Sequence, residues 1–295
     1  MRSLPHNIPV DELKSPLLAE KNVRLFVLRM DSLHPVVSGN KLFKLHYFLN
    51  AAVDKHHDTV VTCGGAYSNH LVATAYACDQ LRLKSIGFVR GEAPPSLSPT
   101  LQQCLSLNME LRYVSREKYR QLTKERPVNT NETWIPEGGF APQGAAGAAL
   151  IMGHVALVQP THIVTATGTA TTLSGLLLKA DILQTVIAVP ILKGFEDIAE
   201  RLQLLTGKSR YSNLDIWNEY HFGGYAKKTP ELIKFMNELY QQHQLPTDFV
   251  YTAKMMYAVY DKLKQGYFGA GSRIVALHTG GLQGNRSLAG GMLIF

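Results

Sequence analysis

Two spacings of apolar residues run through this chain. Short β-branched or apolar runs alternate with longer segments in which apolar residues recur every three or four positions. Residues 24–29 (RLFVLR), 59–62, 85–89 and 110–114 predict strands in the first half, and 162–166, 185–189, 214–217 and 273–278 in the second. Residues 40–53 and 70–83 predict helices between them. So do residues 229–242, where Leu232, Phe235, Met236 and Leu239 fall at i, i+3, i+4 and i+7. Thr229 there is a natural N-cap, and Pro230 takes the first helical position. Strands alternating with helices predict an α/β protein with parallel sheets, whose ligands bind beyond the carboxyl ends of the strands. Three such loops are rich in small residues: CGGAYSN (63–69), ATGTATTLSG (166–175) and HTGGLQGN (278–285). PPSLSP (94–99) predicts a surface connection, and IPEGGFAPQGAAGAA (135–149) reads as a hinge or domain boundary.

Composition narrows the classes. The chain has 295 residues, of which 45% are hydrophobic and 18% charged, enough for a sizeable core. The net charge of +7 is spread out, and its densest group, REKYRQLTKER (116–126), includes two glutamates. That pattern predicts a solvated helix face and no nucleic-acid partner. Cys63, Cys78 and Cys104 form no CxxC pair, and their odd number predicts free cytoplasmic thiols. No apolar signal core and no run of about 18 apolar residues occurs, so no membrane span is expected.

The loops suggest chemistry without fixing it. In ATGTATTLSG a strand runs into Gly168 and threonines and then into an apolar helix, which suits either a phosphate or a helix cap. It is neither a Walker loop nor a dinucleotide fingerprint. Ser68 and Asn69 open another helix, where an isolated Ser-Asn is more often a cap than a ligand contact. His56 and His57 are adjacent and would diverge by about 100° on a helix, which argues for the surface and against a metal site. No G-x-S-x-G elbow occurs. Lys41 in the first turn of a helix feels the positive end of the dipole, and burial would lower its basicity further. A partly neutral amine is what Schiff-base chemistry needs, although a lone lysine is ordinarily solvated.

Taken in order, these segments resemble the pyridoxal-phosphate enzymes of the tryptophan-synthase-β fold. Within them the match is to the family of 1-aminocyclopropane-1-carboxylate deaminase and D-cysteine desulfhydrase. The family's GGNKxRKLE stands here as SGNKLFKLH, its GGxQSNH as GGAYSNH, and the desulfhydrase loop ASGSAGTHAG as ATGTATTLSG. Its paired tyrosine motifs GYA and DPVY stand as GGYAKKTPE and TDFVYTAK. The resemblance implies pyridoxal 5'-phosphate as cofactor, with Lys41 as the Schiff-base lysine and Lys44 as a phosphate partner. It implies a phosphate cradle of Thr167, Gly168, Thr169, Ala170, Thr171 and Thr172. Asn69 is then the partner of the cofactor's phenolic oxygen. Ser68 faces the substrate, with Tyr67, Asn69 and His70 around it, and Tyr225 and Tyr251 are active-site tyrosines. Thr252 near the pyridine nitrogen, and Thr279 in HTGG, are the desulfhydrase residues; the cyclopropane-opening enzymes carry Glu and Leu there. A hydroxyl rather than a carboxylate at that nitrogen suits prompt β-elimination.

The implied fold is two-lobed, with three-layer α/β sandwiches and mostly parallel sheets. The larger lobe is 1–44 plus 151–295, and the smaller is 45–150. The implied reaction is a lyase-type α,β-elimination that takes D-cysteine to pyruvate, sulfide and ammonia. Deamination of 1-aminocyclopropane-1-carboxylate to 2-oxobutyrate is the alternative, and a non-catalytic phosphate-ligand-binding protein is the alternative of another class. A homodimer, a small amino-acid substrate and no metal complete the expectation. The chain departs from the family at Phe43, where Arg is usual, and at Tyr67, where Gln is usual.

Overall fold

The computed structural model describes residues 4, 5, 7–34, 37, 39–125 and 129–295. Ser38 of the SGNK motif and Arg126 of the basic segment therefore lie outside the described residues. The chain begins with β1 (Val10–Leu13), α1 (Pro16–Glu20), β2 (Arg24–Arg29) and α2 (Lys41–Asp54). It continues with β3 (Thr59–Gly64), α3 (Asn69–Leu81), β4 (Lys84–Arg90), α4 (Pro99–Ser106), β5 (Met109–Val114), α5 (Arg116–Glu125) and β6 (Glu132–Ile135). Then come α6 (Pro142–Ala149), α7 (Met152–Val155), β7 (His162–Thr167), α8 (Thr171–Lys179), β8 (Thr185–Pro190), α9 (Ile198–Thr206) and β9 (Leu214–Ile216). The chain ends through α10 (Pro230–His243), α11 (Thr252–Lys264) and β10 (Arg273–His278).

The strands form two sheets. One has six strands in the order β1-β2-β10-β7-β8-β9, and the other four in the order β5-β4-β3-β6. All pairs are parallel except β1 with β2. The central strands β7, β8 and β10 are buried at every position after the first, which parallel strands covered by helices on both faces require. β1 (VDEL) and β6 (ETWI) are four-residue edge strands with carboxylates, too short and mixed to predict from pattern.

The expected helices and strands form, with ends moved by one or two residues. α10 starts where its cap predicts: Thr229 Oγ1 accepts from the Leu232 N–H at 3.2 Å, and Leu232, Met236 and Leu239 are buried. Residues 135–149, read as a hinge or domain boundary, carry regular structure. They close β6 and then form α6, wedged against α2 and α8. Its small residues serve that closeness, since a Cβ on Gly147 would lie 2.1 Å from the Phe43 carbonyl oxygen. Phe43 itself is fully buried in the core with Leu42, Leu45 and Leu49. Its ring meets His154 edge-on at 5.9 Å. An apolar side chain of this size buried there contributes about 2–3 kcal/mol. The aromatic between the two lysines thus anchors α2, while the lysines on either side of it turn to the opposite face. Among the described residues, no helix is long and apolar enough to cross a membrane.

Candidate active site

The carboxyl ends of β3, β7 and β10 open onto one cavity of about 420 Å³. Fifteen of the sixteen residues proposed from sequence line it. Lys41 and Lys44 come from the first turn of α2, Tyr67 to His70 from the loop after β3, and Thr167 to Thr172 from the loop after β7. Tyr225, Tyr251 and Thr279 complete it. Thr252 does not: its Oγ1 donates to Asp248 Oδ1 at 2.7 Å and accepts from the Asp248 N–H at 2.8 Å, at the buried start of α11 outside the lining.

The lysines differ in their surroundings. Lys41 Nζ donates to Asn40 Oδ1 at 2.8 Å, and Asn40 Nδ2 donates to Thr172 Oγ1 at 2.7 Å. Burial pulls the Lys41 amine down to about 8, against the opposing charge of Asp248. Lys44 is 5% exposed and has no acceptor or carboxylate among the described residues. Burial, then the neighbouring Lys41 charge, holds its amine well below the ordinary lysine value. A buried amine without a counter-charge is unfavourable in an empty protein, and an anion would satisfy it.

The loop opposite supplies an anion seat. Ala170 has φ +67° and caps α8, leaving first-turn N–H groups to face the cavity. Thr169 Oγ1 and Thr171 Oγ1 lie 2.9 Å apart. Ser68 Oγ accepts from the Leu71 N–H at 3.3 Å, so it is a helix cap and a lining residue together. The adjacent Asn69 Oδ1 is buried without a partner, a second unsatisfied polar atom at the cavity wall. An amine without an anion, a helix N-terminus and an amide without a partner together fit a phosphorylated ring with a polar edge.

His70 is buried, with Nε2 2.9 Å from Thr62 Oγ1. That hydroxyl spends its hydrogen on the Ile135 carbonyl, so the imidazole donates from Nε2 and Nδ1 is left without a partner. Burial, with the charges of Lys41 and Lys44, pulls its pKa down to about 3, and it stays neutral. The rings of Tyr225 and Tyr251 meet at 76° with centroids 6.1 Å apart. Burial pushes both phenols above their ordinary value, Tyr251 the further, so both keep their protons at neutral pH.

Three positioning residues escaped sequence reasoning. Asn40 holds Lys41, within the SGNK motif. Asp248 accepts from the Val250, Tyr251 and Thr252 N–H groups and shapes the Tyr251 turn; its signal was an Asp just before a helix. Lys254 donates to the His221 and Gly224 carbonyls at 2.9 and 2.7 Å and ties down the loop that carries Tyr225. Nothing in a helical run such as TAKMMY marks that buried lysine in advance.

Comparison with known proteins gives the family and the fold. A family model described as "Pyridoxal-phosphate dependent enzyme" matches residues 5–280. A protein of Thermotoga maritima named "Putative 1-aminocyclopropane-1-carboxylate deaminase" is 30% identical, covering 94% of each chain. The "Bifunctional D-cysteine desulfhydrase/1-aminocyclopropane-1-carboxylate deaminase, mitochondrial" of Arabidopsis thaliana is 26% identical, over 96% of this chain and 80% of its own. The crystal structure of an ACC deaminase homologue matches with a TM-score of 0.79 at 27% identity, over 95% of this chain and 91% of that one.

Proposed function

The chain belongs to the pyridoxal-phosphate dependent enzyme family, and from that premise we propose that it catalyses α,β-elimination on a small amino acid, with D-cysteine the first substrate to test. One observation carries the reading: a lysine amine lowered to about 8 and a second, unpaired buried lysine share one cavity with a phosphate-type loop. When bound, pyridoxal phosphate supplies a carbonyl carbon for amines and an electron sink for the bond broken at the substrate's α-carbon. Lys44, Gly168 and the threonines 167, 169, 171 and 172 hold its phosphate, with Ala170 turning the loop. Asn69 would hold the ring's phenolic oxygen, and Thr279, on the same cavity wall, would border the ring. Lys41 Nζ would be the amine that holds the cofactor through its carbonyl carbon, and it would accept the substrate's α-proton. Ser68 orients the substrate carboxylate. Tyr225 or Tyr251, as a neutral phenol, gives a proton to the leaving sulfur.

The cleft lies between the lobes 1–44 plus 151–295 and 45–150, in a homodimer located in the cytoplasm. Family likeness supports the dimer, and three buried free thiols support the location. The names of relatives support a second reaction, 1-aminocyclopropane-1-carboxylate deamination. Purified holoenzyme given D- and L-cysteine and the cyclopropane amino acid decides. Sulfide with equimolar pyruvate from D-cysteine is expected. Formation of 2-oxobutyrate alone selects the second reaction, and absence of any keto acid overturns both.

A further inference from the structure

A second cavity, of about 820 Å³, adjoins the first, and Arg90, Glu137, Thr169 and Arg201 line both. Beyond that shared wall it is cationic. Arg116, Arg120 and Lys124 follow one another at i, i+4 and i+8, so α5 lines the rim of the chamber with one face of exposed positive charge. None of these three, nor Arg90, has a carboxylate partner among the described residues. The Arg90 guanidinium lies over the Tyr119 ring at 5.5 Å. Arg201 pairs with Asp197 at 2.6 Å through one nitrogen, while its Nε is buried without an acceptor. Glu137, at the junction, is the single carboxylate in the lining of this chamber. Concave walls focus the field of unpaired cations, and guanidinium groups suit phosphate, sulfonate and carboxylate geometry. An anion is therefore favoured beyond Glu137, at the α5 end, and disfavoured beside it.

We infer that this chamber receives the anionic end of a substrate side chain, so the enzyme takes amino acids whose β-substituent ends in phosphate, sulfonate or carboxylate. D-Cysteine leaves the chamber empty; a longer acidic side chain spans the junction. This inference rests on the proposed reaction for its orientation, with the amino group at Lys41 and the side chain toward Arg90 and Arg201. For a phosphate ester of serine the chemistry balances. The α-proton and the phosphate leave, one water is consumed, and pyruvate, ammonium and inorganic phosphate result.

The test uses holoenzyme and both enantiomers of O-phosphoserine, with O-methylserine as the neutral comparison and D-cysteine as the small substrate. Binding is measured by calorimetry and turnover by keto acid. O-Phosphoserine should bind at least tenfold more tightly than O-methylserine. R116A/R120A should raise its KM relative to that of D-cysteine about tenfold, whereas Lys118→Ala, on the same helix but outside the chamber lining, should leave the ratio alone. If D-cysteine is turned over but O-phosphoserine binds no better than O-methylserine, the chamber inference falls and the proposed reaction stands. If O-phosphoserine binds through the arginines but no substrate yields keto acid, the reaction falls and the chamber stands. If the double variant weakens only inorganic phosphate, the chamber holds a free anion and the substrate inference is overturned.

Discussion

Replacing Lys41 by methionine should reverse its effect on apoprotein stability between pH 7 and pH 10.5. Burial lowers the amine from 10.5 to about 8. The unfolded chain therefore binds more protons than the folded one between those values, and stability rises with pH across that window. Below pH 8 the whole penalty applies, about 3 kcal/mol; above pH 10.5 it is gone. Methionine has similar length and no charge to desolvate. It forfeits the 2.8 Å bond to Asn40 Oδ1, leaving that oxygen unpaired at a loss of about 1–2 kcal/mol. K41M apoprotein should then be about 1–2 kcal/mol more stable than wild type at pH 7 and less stable by a similar amount at pH 10.5. Relief of Lys44, whose amine Lys41 depresses, adds to the gain at neutral pH. Urea midpoints of the two apoproteins at pH 7, 8.5 and 10.5, at equal ionic strength, measure the gap. A gap independent of pH, or a less stable variant at pH 7, would refute the reasoning. The same variant given cofactor should lack turnover.

Two further substitutions probe the frame around the site. Gly147→Ala puts a Cβ 2.1 Å from the Phe43 carbonyl oxygen and must part α2 from α6 by about 1 Å, at about 1–3 kcal/mol. Thermal melting should fall by several degrees and cofactor affinity should fall with it, because α2 carries both lysines; an unchanged melt contradicts the packing argument. Asp248→Asn presents an N–H to donors that now share a carboxylate, at about 3 kcal/mol or more. It also removes a charge that supports the Lys41 amine, so the pH dependence of the rate at which Lys41 of the apoprotein reacts with an amine-directed reagent should show the lysine's apparent pKa moving down.

What the sequence disclosed follows from what each residue answers to. The strands of both sheets were legible where burial on two faces makes a continuous apolar run, as in TVIAVP. The edge strands VDEL and ETWI were not, because half of each faces water. The glycine- and alanine-rich stretch before residue 149 imitates a loose connection, yet its small residues permit close helix packing, a tertiary reason invisible to local pattern. Lys41 and Lys44 were legible only through motif context, since spacing cannot distinguish a buried lysine from a solvated one. Thr252 fell at the right position in the motif, but its hydroxyl closes the Asp248 turn. Phe43 looked like a lost charge and is a core anchor.

The site's unsatisfied groups and its chemistry have one origin. The Lys44 amine, Asn69 Oδ1 and His70 Nδ1 are each destabilising when buried alone, and all belong to side chains that border the same cavity. On the proposed reading a bound phosphate satisfies the first, so cofactor binding and folding stability would be linked by mass action. The same desolvation prepares Lys41. At pH 7 an amine titrating near 8 is neutral about a tenth of the time, against about three parts in ten thousand for one at 10.5, a gain of roughly 300-fold in the reactive form. Asp248 limits that gain by its charge while shaping the Tyr251 turn. Its position thus trades some amine reactivity for the placement of the Tyr251 ring in the cavity wall.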